Sequence, residues 1–197
     1  MWYRILRGII ITIAKLCFKF KVEGLENLPQ KTNFIVVANH ASFLDPVFIE
    51  AAIPQKIYWI ALREIYDVAG LRWIMNMTET LPTGSVSEKA VYLVTKNKNV
   101  ALFPEGTRTW DGKLREFRRG AALLSLKTGR PIVPCAILGS YEAFPRKAKF
   151  PKFLPITVKI SKPVYLLKEF EDIVDDIYLQ EGIFKIRNTI KEMLYAG

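Results

Sequence analysis

Short apolar runs rich in β-branched and aromatic residues punctuate the chain between polar breakers. Thr32–Ala38 (TNFIVVA), Lys56–Leu62 (KIYWIAL), Asn99–Phe103 (NVALF), Pro131–Leu138 (PIVPCAIL) and Pro155–Ile160 (PITVKI) read as buried strands. Between them, Pro46–Ala52, Glu64–Met77, Val86–Lys96 and Phe117–Thr128 carry helical patterns, and Asn97-Lys98-Asn99 and Gly129-Arg130-Pro131 supply stops before strands. Strands that alternate with helices predict a single α/β domain with a central, largely parallel or mixed sheet flanked by helices. The charged helical stretch from Lys168 to Tyr195 is expected to pack on the outside and holds no evident chemistry.

The N-terminal residues WYRILRGIIITIAKLCFKF form a different pattern. At about 100° per residue, Arg4, Arg7, Gly8, Thr12, Lys15 and Lys19 share one side. Trp2, Leu6, Ile9, Ile10, Ile13, Leu16, Cys17 and Phe20 share the other, while Ile11 and Phe18 break the pattern. The longest uncharged run, Gly8 to Ala14, is far short of the roughly 20 apolar residues needed to span a bilayer. The segment reads as a basic amphipathic helix lying in a membrane interface. A core helix is the plainer reading, and a signal peptide lacks its small-residue cleavage site. The expected division is an interfacial helix over 1–22 and one domain over 23–197.

Composition sharpens this picture. The 197 residues carry a formal net charge of +10, and half are hydrophobic. Such a balance favours anionic partners: a phospholipid surface, a phosphorylated metabolite or nucleic acid. No helix-turn-helix, zinc-finger or RNA-recognition signature is present, and the basic residues are spread along the chain, which disfavours nucleic acid. The apolar content favours a membrane surface. Cys17 and Cys135 form no spacing motif, so both read as buried thiols rather than zinc ligands or a disulfide.

Candidate chemistry sits in two places. The one histidine of the chain lies in Asn39-His40-Ala41-Ser42-Phe43-Leu44-Asp45. Histidine is the side chain best suited to exchange a proton near neutral pH. On a continuous helix, His40 and Asp45 would point about 140° apart, so they meet only across a turn. Pro46 favours such a turn and places Asp45 as the N-cap of the helix that follows. Asp45 as a mere cap and His40 as a polar strand end is the plainer alternative. The second place is Phe103-Pro104-Glu105-Gly106-Thr107-Arg108, also directly after a strand. Gly106 permits close backbone approach, and Arg108 offers a planar fork for phosphate oxygens. Glu105 is suited either to tie Arg108 down or to accept a substrate hydroxyl. Lys113 and Arg115 read as solvated surface. The hydrophobic stretches around Trp73–Met77 and Val86–Val94 could line an acyl groove, although core packing is the plainer role.

Together the two motifs resemble the glycerolipid acyltransferase family, in particular the 1-acylglycerol-3-phosphate (lysophosphatidate) acyltransferases. Asn39, His40, Ser42 and Asp45 match its Asn-His-x-Ser-x-x-Asp signature, and Phe103 to Arg108 match its Phe-Pro-Glu-Gly-Thr-Arg signature without change. Phe117-Arg118-Arg119-Gly120 is similar to its Phe-Lys-Lys-Gly, and Val133-Pro134 to its later strand motif. Arg63 stands where a basic residue is usual. The family often carries an arginine-bearing block between the signatures, where this chain has Leu81-Pro82-Thr83-Gly84-Ser85. Either Arg63, Lys89 and Arg108 hold an acceptor phosphate, or the acceptor differs.

The resemblance implies acyl transfer from an acyl-carrier-protein or coenzyme A thioester to the sn-2 hydroxyl of a lysophospholipid. It implies His40 as general base, Asp45 orienting it, and Ser42 holding the turn. Gly106, Thr107 and Arg108 would anchor phosphate, with Glu105 orienting Arg108 or the glycerol. No metal or bound organic cofactor is implied. A peripheral, monotopic enzyme on the cytoplasmic face of the cell membrane is expected.

Overall fold

The structure, a computed structural model, describes residues 2–61, 81–82, 86–166 and 176–195. Its centre is a seven-stranded sheet: β1 (Lys21–Glu23), β2 (Ile35–Ala38), β3 (Ile57–Ala61), β4 (Leu81–Pro82), β5 (Asn99–Leu102), β6 (Ile132–Leu138) and β7 (Thr157–Ile160). The order is β1-β7-β6-β2-β5-β3-β4, and every neighbouring pair is parallel except β6 with β7. The expected mixed α/β architecture is therefore present. All five predicted strands form, each one to three residues shorter than its apolar run. The two additional strands, β1 and β4, are too short to carry a pattern.

Side-chain alternation divides the core in two. Val36, Ala38, Ala101, Val133 and Cys135 face one layer, which holds α1 (Trp2–Phe18) and α2 (Asp45–Ala52). Ile35, Val37, Val100, Ile132 and Ala136 face the other, against α3 (Val86–Thr95), α4 (Gly120–Thr128) and α6 (Asp176–Tyr195). The four-residue α5 (Ser140–Ala143) follows β6. The C-terminal helix lies on the sheet's outer layer, as its pattern predicts, with Leu179, Ile186 and Ile190 buried. Ala90 and Val94 of α3 are core residues, so that part of the suggested acyl groove is structural. The helix predicted over Glu64–Met77 lies outside the described residues. Cys135 is buried, and desolvation pushes its thiol up to about 12, whereas Cys17 is only half-buried.

The N-terminal helix resolves its irregular pattern by having three faces. Ile11, Ala14 and Phe18 share one helical stripe and pack into the first core layer. Ile11 and Phe18, which break a two-sided pattern, are thus the residues that dock the helix on the domain. Gly8, Thr12, Lys15 and Lys19 are exposed and form the polar side. Ile13 and Leu16 form an apolar side that the domain leaves in water, 52% and 80% exposed. No helix among the described residues is long and apolar enough to cross a membrane.

Phe18 meets Phe48 and Phe153 edge-on, with ring centroids 5.3 and 5.5 Å away. Phe18→Ala should cost on the order of 3 kcal/mol of stability in urea denaturation, as for other buried phenylalanines. Leu16→Ser should stay within about 0.5 kcal/mol, as for exposed sites. Equal losses at the two positions would contradict the three-faced helix.

Candidate active site

Both sequence motifs leave the sheet at the same edge. Strands β2 and β5 are parallel neighbours with Val37 paired to Leu102, so their carboxyl ends release Asn39-His40 and Phe103-Pro104 side by side. Loops at such carboxyl ends are where open α/β sheets gather polar chemistry. Asn39 fastens this edge to β6: its side chain donates to the Ile137 carbonyl at 3.0 Å and accepts from the Ile137 amide at 2.7 Å. Val133 and Pro134 lie within β6, where Val133 joins the core and Pro134 pairs with Val37 just before pairing with β7 begins. They support the edge without facing the reaction centre.

The turn needed to bring His40 to Asp45 is present. Asp45 Oδ2 is 2.8 Å from His40 Nδ1 and accepts the amides of Ala41 and Ser42, both at 2.7 Å. The Ser42 hydroxyl accepts the Leu44 amide at 3.1 Å, so Ser42 holds the turn and is no nucleophile. One detail differs from expectation. Asp45 is the first residue of α2 rather than its N-cap; Leu44 takes that position, with no side-chain cap. The carboxylate bends backward onto the preceding loop, and the helix amides are left out of its contacts.

Asp45 is fully buried, and its bond to Nδ1 fixes the neutral imidazole with the proton on Nδ1 and an unprotonated Nε2. The imidazole stacks on Phe103, centroids 4.0 Å apart at 9°, and Phe103 in turn stacks on Trp59. The ring is therefore held by a hydrogen-bonded edge and an aromatic face, and 15% of the side chain stays open.

The second motif grips the first through the backbone. Glu105 is buried; its Oε1 accepts the His40 amide at 2.7 Å and its Oε2 the Arg115 amide at 3.0 Å. The Thr109 amide donates to the His40 carbonyl at 2.9 Å. Glu105 thus braces the loops, and its described hydrogen bonds run to these amides rather than to Arg108, the first of its two expected partners. Arg115 is likewise more than solvated surface, because its guanidinium donates to the Thr107 hydroxyl. Lys113 is exposed. Pro104 ends the strand and its carbonyl accepts the Arg118 amide at 2.8 Å. Gly106 has φ +75°, and a Cβ there would lie 2.6 Å from Arg118 Nε, so both its conformation and its space favour glycine.

Arg108 is held on an aromatic face and leaves one guanidinium nitrogen unpaired. Its guanidinium lies 3.3 Å over the Phe43 ring, inside the histidine loop, and its buried Nη1 has no hydrogen-bond partner among the described residues. Burial lowers its pKa, Arg146 adds to that as a like charge, and Asp45 opposes both. Arg146 itself stacks over Trp110 at 3.9 Å and donates to the Arg108 carbonyl at 3.4 Å. The two arginines are close enough to repel, and neither forms a salt bridge among the described residues. Arg63 lies outside the described residues, and Lys89 is exposed on α3.

The comparisons with known proteins agree with this arrangement. A family model described as Acyltransferase matches residues 19–138, which span the sheet core and both motifs.

The chain belongs to the acyltransferase family.

Relatives of this acyltransferase include a chloroplastic 1-acyl-sn-glycerol-3-phosphate acyltransferase of Brassica napus, 32% identical over 75% of this chain and 46% of the relative. The human 1-acyl-sn-glycerol-3-phosphate acyltransferase alpha is 34% identical over 72% of this chain and 53% of its own. The chain spans about half the length of these curated relatives. The crystal structure of the 1-acyl-sn-glycerophosphate (LPA) acyltransferase PlsC from Thermotoga maritima superposes with a TM-score of 0.76 at 26% identity, covering 97% of this chain and 80% of that one.

Several residues of the site carry no sequence signal of their own. Thr109 and Arg115 hold His40 and Glu105 through their amides, which any residue type but proline supplies. Arg146 follows a strand 38 residues after Arg108 and belongs to neither signature.

Burial pushes the Glu105 carboxyl up to about 7, against the amide bonds from His40 and Arg115 that lower it. A folded pKa above the ordinary carboxyl value means that the native state holds the proton more tightly. Glu105's contribution is thus fullest near pH 4.5 and is lost as pH rises through 7. Unfolding free energy should fall by up to about 3 kcal/mol across that window, from roughly 1.4 kcal/mol per pH unit. The Glu105→Gln variant should lack this slope in denaturation measured at a series of pH values. A slope unchanged in the variant would assign the dependence elsewhere.

Proposed function

We propose that the protein transfers a fatty acyl group from a thioester to the sn-2 hydroxyl of 1-acylglycerol-3-phosphate, giving phosphatidate. The observation that carries this reading is the pairing of an oriented, open imidazole with a buried guanidinium edge that lacks a partner. His40 Nε2 removes the acceptor's hydroxyl proton as that oxygen attacks the thioester carbonyl. Asp45 holds the imidazole in the needed tautomer and stabilises the imidazolium that forms. The proton then leaves with the departing thiolate as the tetrahedral species collapses. The acceptor oxygen is the nucleophile, so no enzyme-bound ester is required.

Arg108 and Arg146 bind the acceptor phosphate, whose charge relieves the repulsion between the two guanidiniums. Arg146 takes the part for which Leu81–Ser85 offers no arginine, while Gly106 and Thr107 shape the turn that presents Arg108. The donor is acyl-carrier-protein or coenzyme A thioester, both acidic carriers suited to a basic surface. The apolar side of the N-terminal helix holds the enzyme on a phospholipid membrane, at its cytoplasmic face, where acceptor and product reside.

His40→Ala should lower turnover by about a thousandfold with vesicle binding intact, within the range of general-base losses. Arg108→Ala and Arg146→Ala should each raise the acceptor KM, lowering kcat/KM about ten- to hundredfold for the loss of a charge-assisted contact. Acylation of a monoacylglycerol, which lacks phosphate, should be unaffected by either arginine change. The assay is transfer of labelled acyl groups from both thioesters to lysophosphatidate in vesicles. Retained turnover in His40→Ala would overturn the base assignment. A wild type that acylates a different lysolipid but not lysophosphatidate would overturn the acceptor and leave the reaction class.

A further inference from the structure

The segment between α5 and β7 reads Phe144-Pro145-Arg146-Lys147-Ala148-Lys149-Phe150-Pro151-Lys152-Phe153-Leu154. It is an ordered loop. The Ala148 amide donates to the Pro145 carbonyl at 3.0 Å, Lys152 to Ala143 at 2.7 Å, and Leu154 to Lys152 at 2.9 Å. Yet it holds two phenylalanines in water: Phe150 is 80% exposed and Phe153 69%. Lys147, Lys149 and Lys152 are exposed beside them. Bulky rings fixed outward by an ordered backbone, among cations and with no carboxylate in the loop, are a costly surface unless something covers it.

The loop packs against the C-terminal end of α1. Phe153 touches Phe18 edge-on at 5.5 Å, and the Ile156 amide donates to the Phe18 carbonyl at 2.9 Å. The exposed Ile13, Lys15 and Leu16 belong to that helix, and the exposed Lys19 follows it directly. We propose that residues 146–154 are a second membrane contact, in which Phe150 and Phe153 enter the acyl boundary of an anionic bilayer and Lys147, Lys149 and Lys152 meet its headgroups.

The chemistry fits a lipid surface better than a protein partner, because alternating cations and aromatic rings match the two layers of a bilayer interface. Arg146 leads directly into this loop, so docking sets the guanidinium pair at headgroup depth, where an acceptor phosphate lies. The inference rests on the reading that the enzyme works at a membrane, but assigns a different surface from α1.

The test is partitioning of the full chain onto vesicles of phosphatidylcholine with phosphatidylglycerol, and of phosphatidylcholine alone, by flotation. The Phe150→Ala/Phe153→Ala variant should partition onto anionic vesicles at least tenfold less than wild type, as two rings stay in water. The Lys147→Gln/Lys149→Gln/Lys152→Gln variant should lose about tenfold or more on anionic vesicles and little on neutral ones. Both should keep wild-type turnover on lysophosphatidate dispersed in detergent, which shows that the fold and site are intact. Wild-type partitioning of the phenylalanine variant would overturn the loop contact and leave the membrane reading standing. A wild type that binds neither vesicle would overturn both. Unchanged partitioning with a raised KM for acyl-carrier-protein thioester would assign the patch to the carrier protein. Loss of self-association in sedimentation would assign it to a second copy of the chain.

Discussion

The site depends on how the backbone of His40 is held. Its amide donates to the buried Glu105 carboxyl, and its carbonyl accepts the Thr109 amide, both from the loop after β5. Two adjacent parallel strands end together, but their loops have no ladder to continue, and loops without one would splay. Glu105 replaces the missing ladder with a single buried group that accepts from both His40 and Arg115. Amide bonds to a neutral carboxyl contribute about 0.5–1.5 kcal/mol each, and those to its ionised form about 1.5–3 kcal/mol. Burial raises the cost of the charge at the same position. The brace is therefore strong only because the amides are aimed at it, and it joins two motifs far apart in sequence into one rigid rim.

On that rim the side chain of His40 is set by local means. A single oxygen of Asp45 collects Nδ1 and two loop amides, closing a turn of five residues. The same contacts that fold the loop select the tautomer, so the geometry of the base cannot drift without the loop unfolding. Stacking on Phe103, itself the first residue of the second motif, adds a second tie between the two halves.

Strands β2, β3, β5, β6 and β7 were legible as far as apolar runs lasted, because runs rich in β-branched and aromatic residues between breakers leave few alternatives. Lys21–Glu23 and Leu81–Pro82 were not, since edge pairings of two or three residues are set by tertiary contact. The His40–Asp45 pair was legible because Pro46 enforces a turn. Its detail was not: whether a carboxylate caps forward or bends backward depends on loop amides that have no signature. The amides that Glu105 accepts have no signature for the same reason. Ile11 and Phe18 looked like noise in a two-sided helix because the domain itself occupies a third side.

Two guanidiniums placed near each other repel, and here neither forms a salt bridge among the described residues, with Asp45 offsetting the repulsion at Arg108 only from a distance. Arg108 is held by the Phe43 ring and Arg146 by the Trp110 ring, so aromatic faces, which tolerate cations without quenching them, do the holding. The charge stays available for a ligand, and the pair stays in place without one. Phe43 belongs to the histidine loop and Trp110 to the loop after the second motif, so the rings that seat the cations are carried by the segments that seat the base. A phosphate bound by the pair is thereby referenced to His40 through rigid backbone. Under the proposed function, a phosphate held by the pair would bring an acceptor hydroxyl a few bonds away toward the imidazole.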